Sequence, residues 1–190
     1  LAFRRLSDDL GEAYWFLRML RDSSGAAQRL THVLSGSRFV GDLFERIPEA
    51  AAWLENNEEL RPRALGLLLD ETAAILARHN EDDAAAASAL RTARRREILR
   101  LALASILGVV SIEELGQALS DVNTAVLTGA LGLSHRFGDG IEFGIIAMGR
   151  YGGAELGFGS DADVMYVYRP AGASDEEAQR RAEQIVHSLS

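Results

Sequence analysis

The sequence predicts an α+β chain, with an all-helical bundle over residues 1–137 followed by strand, loop, strand and helix from residue 138 to the end. Three observations carry this. Helical periodicity fills the first two thirds, in long segments rich in Ala, Leu, Arg and Glu with Gly or Pro mainly between them. That periodicity stops at the turn signal Gly138-Asp139-Gly140. Beyond it, two short apolar runs flank a glycine-rich loop.

From the N-terminal end, Leu6 to Leu20 and Ala26 to Leu34 read as helices, and Ser35-Gly36-Ser37 separates them from a shorter apolar piece, Phe39 to Ile47. A helix is expected over Leu60 to Ala77, with Pro62 in its first turn and Ala64, Leu67, Leu68, Ile75 and Leu76 on its buried face. The segment Ala84 to Val110 carries Ile98, Leu99, Leu101, Leu103, Ile106 and Leu107 nearly all round its second half. Such a helix is covered by neighbours on several sides, which places it at the centre of the bundle. Leu115, Leu119, Val122 and Val126 then form one stripe, behind a capping box made by Ser111 and Glu114. The run Phe143 to Met148 is a buried strand, and Val164 to Tyr168, ended by Pro170, is a second. Ser174 with Glu177 is another capping box, so a helix begins near Asp175 and runs to the end. The domain boundary is expected within a few residues of Gly138.

Composition narrows the function. Of 190 residues 47% are apolar, enough for one sizeable domain or a helical domain plus part of another. The 20 Lys and Arg against 28 Asp and Glu give a charge of −8, the wrong sign for a nucleic-acid partner. Cysteine is absent, so any metal is held by oxygen or imidazole. No apolar run reaches the ~18 residues of a membrane helix, and Leu1-Ala2-Phe3-Arg4-Arg5 has no signal-peptide pattern. A soluble cytoplasmic protein without membrane or nucleic-acid partners is the expectation. The start without methionine and the stop at Ser190 inside a helix suggest a piece of a longer polypeptide.

The chemistry concentrates between the strands, in Gly149-Arg150-Tyr151-Gly152-Gly153-Ala154-Glu155-Leu156-Gly157-Phe158-Gly159-Ser160-Asp161-Ala162-Asp163. Residues two apart on a strand point to the same face, so Asp161 and Asp163 at a strand's beginning present both carboxylates on one side. Two like charges held close repel unless a hard cation joins them, which makes the pair a candidate for Mg2+. Magnesium keeps coordination positions for phosphate oxygens. The glycines after the first strand let backbone N–H groups approach an anion, and a short helix over Tyr151 to Leu156 would add its first amides. Ser160 either holds the loop through side-chain to backbone bonding or approaches a phosphate itself.

This arrangement resembles the signature of the bacterial glutamine synthetase adenylyltransferase family, within the polymerase-β-like nucleotidyltransferases. The carriers are the strand ending in Gly149, the Gly-Arg-Tyr-Gly-Gly-Ala-Glu-Leu loop, and Ser160-Asp161-Ala162-Asp163 ahead of an apolar strand. Gly149-Arg150 stands where the superfamily has a Gly-Ser or related pair. Upstream, Ser35 to Leu43 and Arg94 to Arg100 resemble the opening helix pair and the arginine-rich helix of a catalytic half, so the likeness covers nearly the whole chain. The resemblance implies transfer of AMP from ATP to a tyrosine of glutamine synthetase, with removal as the reverse activity of the other half, in the regulation of nitrogen assimilation. It implies Asp161 and Asp163 as catalytic magnesium ligands, and Gly149, Arg150 and Ser160 beside the ATP triphosphate. Glutamine synthetase and a PII-type signalling protein are the implied partners. The stretch Glu155 to Ser160 looks more like the adenylylating, C-terminal half. The superfamily's third carboxylate, from a later strand, has no counterpart within these residues, so a piece this short is expected to be inactive alone. The competing readings are another nucleotidyltransferase, such as a uridylyltransferase, and a non-catalytic helical binding or regulatory module.

Other features have plainer readings. Arg91, Arg94, Arg95, Arg96 and Arg100 read as a solvated helix face before a docking site. Glu155 caps a helix start before it assists a metal. His32, His79, His135 and His187 show no ligand spacing. Trp15, Trp53, Tyr14 and Phe16 read as packing. Tyr166 and Tyr168 alternate away from the aspartate face and pack under a later element.

Overall fold

The computed structural model describes residues 13–134 and 139–189. By its internal contacts the chain divides into two compact units, Leu1–Pro62 with Arg95–Leu115, and Arg63–Arg94 with Gly116–Ser190. The expected boundary near Gly138 follows the change from helix to strand along the chain; residues 135–138 lie outside the described ones, as does His135.

The first unit is helical. Helices α1 (Tyr14–Asp22), α2 (Ser24–Gly36) and α3 (Arg38–Phe44) are followed by two 3₁₀ segments, Pro48–Glu55 and Asn57–Leu60. The Ser23 and Ser37 hydroxyls accept from the Ala26 and Val40 amides, capping α2 and α3. Ser35-Gly36 therefore belongs to α2, and Ser37 alone makes the break. The expected helix from Leu6 is described only from Tyr14 onward. Within it Phe16 is buried and the half-exposed Trp15 ring packs edge-on against it at 5.8 Å, whereas Tyr14 is 73% exposed and the packing expected of it is not seen. One face of a nine-residue helix cannot bury three consecutive aromatics.

The long helix α5 (Asp83–Ile106) enters this unit at Arg95. Leu99, Ala102, Leu103 and Ala104 join Phe16, Leu30, Val40, Phe44 and Leu54 in one core, as the all-round apolar pattern of this half requires. Arg91, Arg94 and Arg96 face solvent as expected, but Arg100 does not. Its guanidinium lies 4.6 Å over the Trp53 ring, donates to the Glu59 carbonyl, and pairs with buried Glu97 at 3.2 Å.

The second unit holds α4 (Leu65–Arg78), the first part of α5, most of α6 (Ile112–Leu133), and the strands. Helix α4 starts at Leu65 and not at Leu60, because Pro62 and the extended Ala64 precede it. Its buried face is Leu68, Thr72 and Ile75; Ala64 and Leu67 are exposed, a correction that follows from the later start. The capping box of α6 forms in both directions: the Ser111 amide donates to Glu114 Oε2 (2.8 Å) and the Glu114 amide to Ser111 Oγ (3.1 Å).

Strands β1 (Ile141–Ala147) and β2 (Val164–Pro170) pair antiparallel, from Ile141 opposite Pro170 to Ala147 opposite Val164. Helix α8 (Asp175–Leu189) follows its expected cap, the Glu177 amide donating to Ser174 Oγ. Ala178, Ala182 and Ile185 of α8 close a small core with Ile141, against which Phe143 packs. Tyr166 and Tyr168 sit on this same face, and with Phe143 and α8 they line an open cavity of about 510 Å³. Ile146, Met165 and Val167, on the opposite face, are exposed. Among the described residues, no helix is long and apolar enough to cross a membrane.

Candidate functional site

The turn that leaves β1 is set by its glycines. After Met148 the chain enters α7 (Gly149–Gly152) directly, with Gly149 at φ +51°, a left-handed conformation in which a Cβ is strained. The Gly152 amide donates to the Met148 carbonyl (2.8 Å) and that of Gly153 to Gly149 (3.0 Å). The amides of Gly149, Arg150 and Tyr151 are thus first-turn donors without an acceptor inside the helix. A short helix was expected over Tyr151 to Leu156; it forms two residues earlier and is shorter. Ala154, at φ +58°, is left-handed and cannot continue it.

Behind the turn, Tyr151 is buried and its hydroxyl lies 2.9 Å from Thr124 Oγ1 on α6. Burial pushes its phenol above the ordinary value, and the Asp121 carboxylate pushes the same way, against the Thr124 hydrogen bond. Thr124 also donates to the Ser120 carbonyl (2.9 Å). Either hydroxyl can donate in the Tyr151–Thr124 pair. The loop then crosses α6 at Gly116, where a Cβ would stand 3.0 Å from the Ala154 carbonyl oxygen. Arg150 and Glu155 tie the loop reciprocally: the Glu155 amide donates to the Arg150 carbonyl (2.8 Å) and Arg150 Nε to the Glu155 carbonyl (3.2 Å). Glu155 follows α7 instead of capping its start. Ser160 Oγ accepts from the Gly157 amide (3.1 Å), the loop-holding role open to it.

The aspartates stand just ahead of β2, which begins at Val164. The Met148 amide donates to the Asp163 carbonyl (2.9 Å), which carries the strand pairing one step further, to Asp163 and not to Asp161. Asp163 Oδ2 lies 3.1 Å from where a Cβ on Gly149 would be, so a side chain at 149 would require this carboxylate to give by a few tenths of an ångström. Both aspartates are exposed, and among the described residues neither is paired with an arginine. The structure therefore brings Asp163 to Gly149, ties Arg150 and Ser160 into the same loop, and leaves Asp161 in the irregular segment that leads to them.

The Asp163 carboxylate, exposed beside the turn, is a hard oxygen donor of the kind a divalent cation takes. No group of three or more acidic, histidine or cysteine side chains that could hold a metal occurs among the described residues. Sequence reasoning missed the support on α6. Gly116, Ser120 and Thr124 recur at i, i+4 and i+8, and such a row of small residues on one helix face is the mark of a close backbone approach.

The chain is thus a helix-rich α+β chain with the Asp163 carboxylate beside a glycine turn. It belongs to the glutamate-ammonia ligase adenylyltransferase family, whose model matches residues 27–190. Among curated proteins, it is 62% identical over its whole length to the bifunctional glutamine synthetase adenylyltransferase/adenylyl-removing enzyme of Leifsonia xyli subsp. xyli, covering 19% of that protein. It is 41% identical over its whole length to the protein of that name from Streptomyces coelicolor, covering 21% of it. With the Cutibacterium acnes protein it shares 42% identity over 88% of this chain and 17% of the relative. The chain spans about a fifth of the length of the relatives it matches.

Proposed function

We propose that this chain supplies the nucleotide- and metal-binding edge of an enzyme that transfers AMP from ATP to a tyrosine hydroxyl of glutamine synthetase. The observation that carries this reading is the Asp163 carboxylate seated against Gly149, with Asp161 two residues before it. Family membership supports the choice of reaction. In this reading the strand pair opens a polymerase-β-like nucleotidyltransferase domain, of the adenylylating half, and a third carboxylate comes from outside these residues.

Asp161 and Asp163 would hold Mg2+, which when bound neutralises charge on the reacting phosphate and the leaving pyrophosphate. The chain's own groups do the remaining work. First-turn amides of Gly149 to Tyr151 donate to triphosphate oxygens. Arg150 keeps Nε on the Glu155 carbonyl, and its two Nη groups would supply further donors to the triphosphate. Ser160 accepts from Gly157 and retains its own proton for a phosphate oxygen. The acceptor hydroxyl oxygen forms the new bond to the α-phosphorus, the bond to the bridging oxygen breaks, and the hydroxyl proton is released. Glutamine synthetase is the protein partner, and a PII-type protein its upstream signal.

The test uses the natural polypeptide that carries these 190 residues, with labelled ATP and UTP offered beside glutamine synthetase. Label from the α-phosphate of ATP should appear on glutamine synthetase, and Asp161→Asn with Asp163→Asn should lower this by a thousandfold or more, to the order expected when central charge stabilisation is lost. Transfer from UTP instead, or transfer indifferent to the double substitution, overturns the reading.

A further inference from the structure

We propose that Tyr151 is a positioning residue for this site: its hydroxyl, held on Thr124, fixes the turn that brings Gly149 and Arg150 to Asp163. The inference rests on the nucleotidyltransferase reading above. Gly149 is left-handed and has no side chain to anchor it, so its place must be set by neighbours. Tyr151, two residues on, is the one buried side chain of α7. Its hydroxyl bonds to Thr124, whose hydroxyl also lies 2.9 Å from the Ser120 carbonyl, so a hydrogen-bonded chain runs from the turn into the backbone of α6. Gly116, eight residues before Thr124 on the same helix, receives the loop at Ala154 and Glu155. The loop is therefore held at two points about 12 Å apart along one rigid element. A phenylalanine would fill the same space. The hydroxyl adds a directional bond from the turn to α6 that phenylalanine lacks, and the chemistry tolerates displacements of about 0.5 Å.

Neither Tyr151 nor Thr124 touches a reacting atom in this reading, so removing the bond should misplace the phosphate donors while leaving them present. In the natural polypeptide, Tyr151→Phe and Thr124→Val should each lower kcat for AMP transfer about tenfold, with KM for ATP changed less than about twofold. Thr124→Ser, which keeps the hydroxyl, should recover most of the rate. The double variant Tyr151→Phe with Thr124→Val should be no worse than either single one, because both remove the same bond. Wild-type kcat in Tyr151→Phe, multiplied losses in the double variant, or no recovery in Thr124→Ser would each overturn the positioning role. Loss of transfer in the Asp161→Asn, Asp163→Asn protein beside wild-type kcat in Tyr151→Phe rejects this inference alone. Transfer that survives the aspartate substitutions rejects the nucleotidyltransferase reading itself.

Discussion

Asp163 Oδ2 stands 3.1 Å from the point where a side chain on Gly149 would begin. An alanine at 149 would meet that carboxylate and would also be strained at φ +51°. The backbone term alone costs about 1–2 kcal/mol. Gly149→Ala should lower stability by at least that much and push Asp163 from its place, with AMP transfer falling more than tenfold. Gly159→Ala, ten residues on, has nothing within 4 Å of its Cβ and no positive φ. It should leave the urea midpoint within about 0.5 kcal/mol of the wild type. Equal midpoints for the two variants would remove the special standing of Gly149.

The exposed aspartates make a contrary prediction for stability. Neither is hydrogen-bonded into the fold through its carboxylate among the described residues, so replacing both charges removes no support. Asp161→Asn with Asp163→Asn should unfold within about 0.5 kcal/mol of the wild type. A residue pair that is functional and not structural has this signature: activity lost, thermal unfolding unchanged. A Tm several degrees lower in the double variant would make the pair structural.

Ala154 carries a second left-handed backbone, this time with a side chain. It ends α7 and delivers the loop to Gly116. Glycine there would relieve about 1 kcal/mol of strain, and Ala154→Gly should raise the urea midpoint by that order. A lower midpoint would show that the strain is not borne at this residue.

The pieces that the sequence made legible are those with local causes. Ser111 and Glu114 cap α6 because each satisfies the other's amide within four residues, and at the start of α8 Ser174 Oγ accepts from the Glu177 amide. The strand, loop, strand order was legible, but the strand begins at Val164, so the alternation expected to set Asp161 and Asp163 on one face does not reach them. What stayed hidden depends on contacts far apart in the chain. The bond from Tyr151 to Thr124 spans 27 residues, and nothing at either position announces the other. The start of α4 was misplaced because Pro62 suits a first helical turn equally well as the extended stretch before one. Arg100 was taken for one more surface charge, although its place over Trp53 is set by tertiary packing.

That placement yields a stability prediction away from the site. Glu97 and Arg100 are both largely buried, and Arg100 also donates to the Glu59 carbonyl and stacks on Trp53. Removing one member of such a pair leaves the other charge without compensation. Glu97→Ala should cost about 3–5 kcal/mol in urea unfolding. Arg100→Lys should cost about 1–3 kcal/mol, because an ammonium cannot stack on the indole and donate in two directions at once. A lysine variant as stable as the wild type would reduce the contact to simple charge pairing.

Tyr151 gives the final prediction, in pH. Its phenol is raised above the usual value of about 10, first by burial and further by Asp121, so the folded chain holds this proton more tightly than the unfolded one. For a group with a raised folded pKa, the stabilisation is fully present below the unfolded value. It is lost as pH rises from about 10 through the folded pKa, because the unfolded state then releases its proton first. Wild-type stability should therefore fall more steeply above about pH 10 than that of Tyr151→Phe, which has no proton to lose there. In an ultraviolet titration of the folded chain, Tyr151→Phe should abolish a late component of the tyrosinate signal. Parallel alkaline stability profiles for the two proteins would mean that the hydroxyl is already wet, and its bond to Thr124 would then be too weak to set the turn.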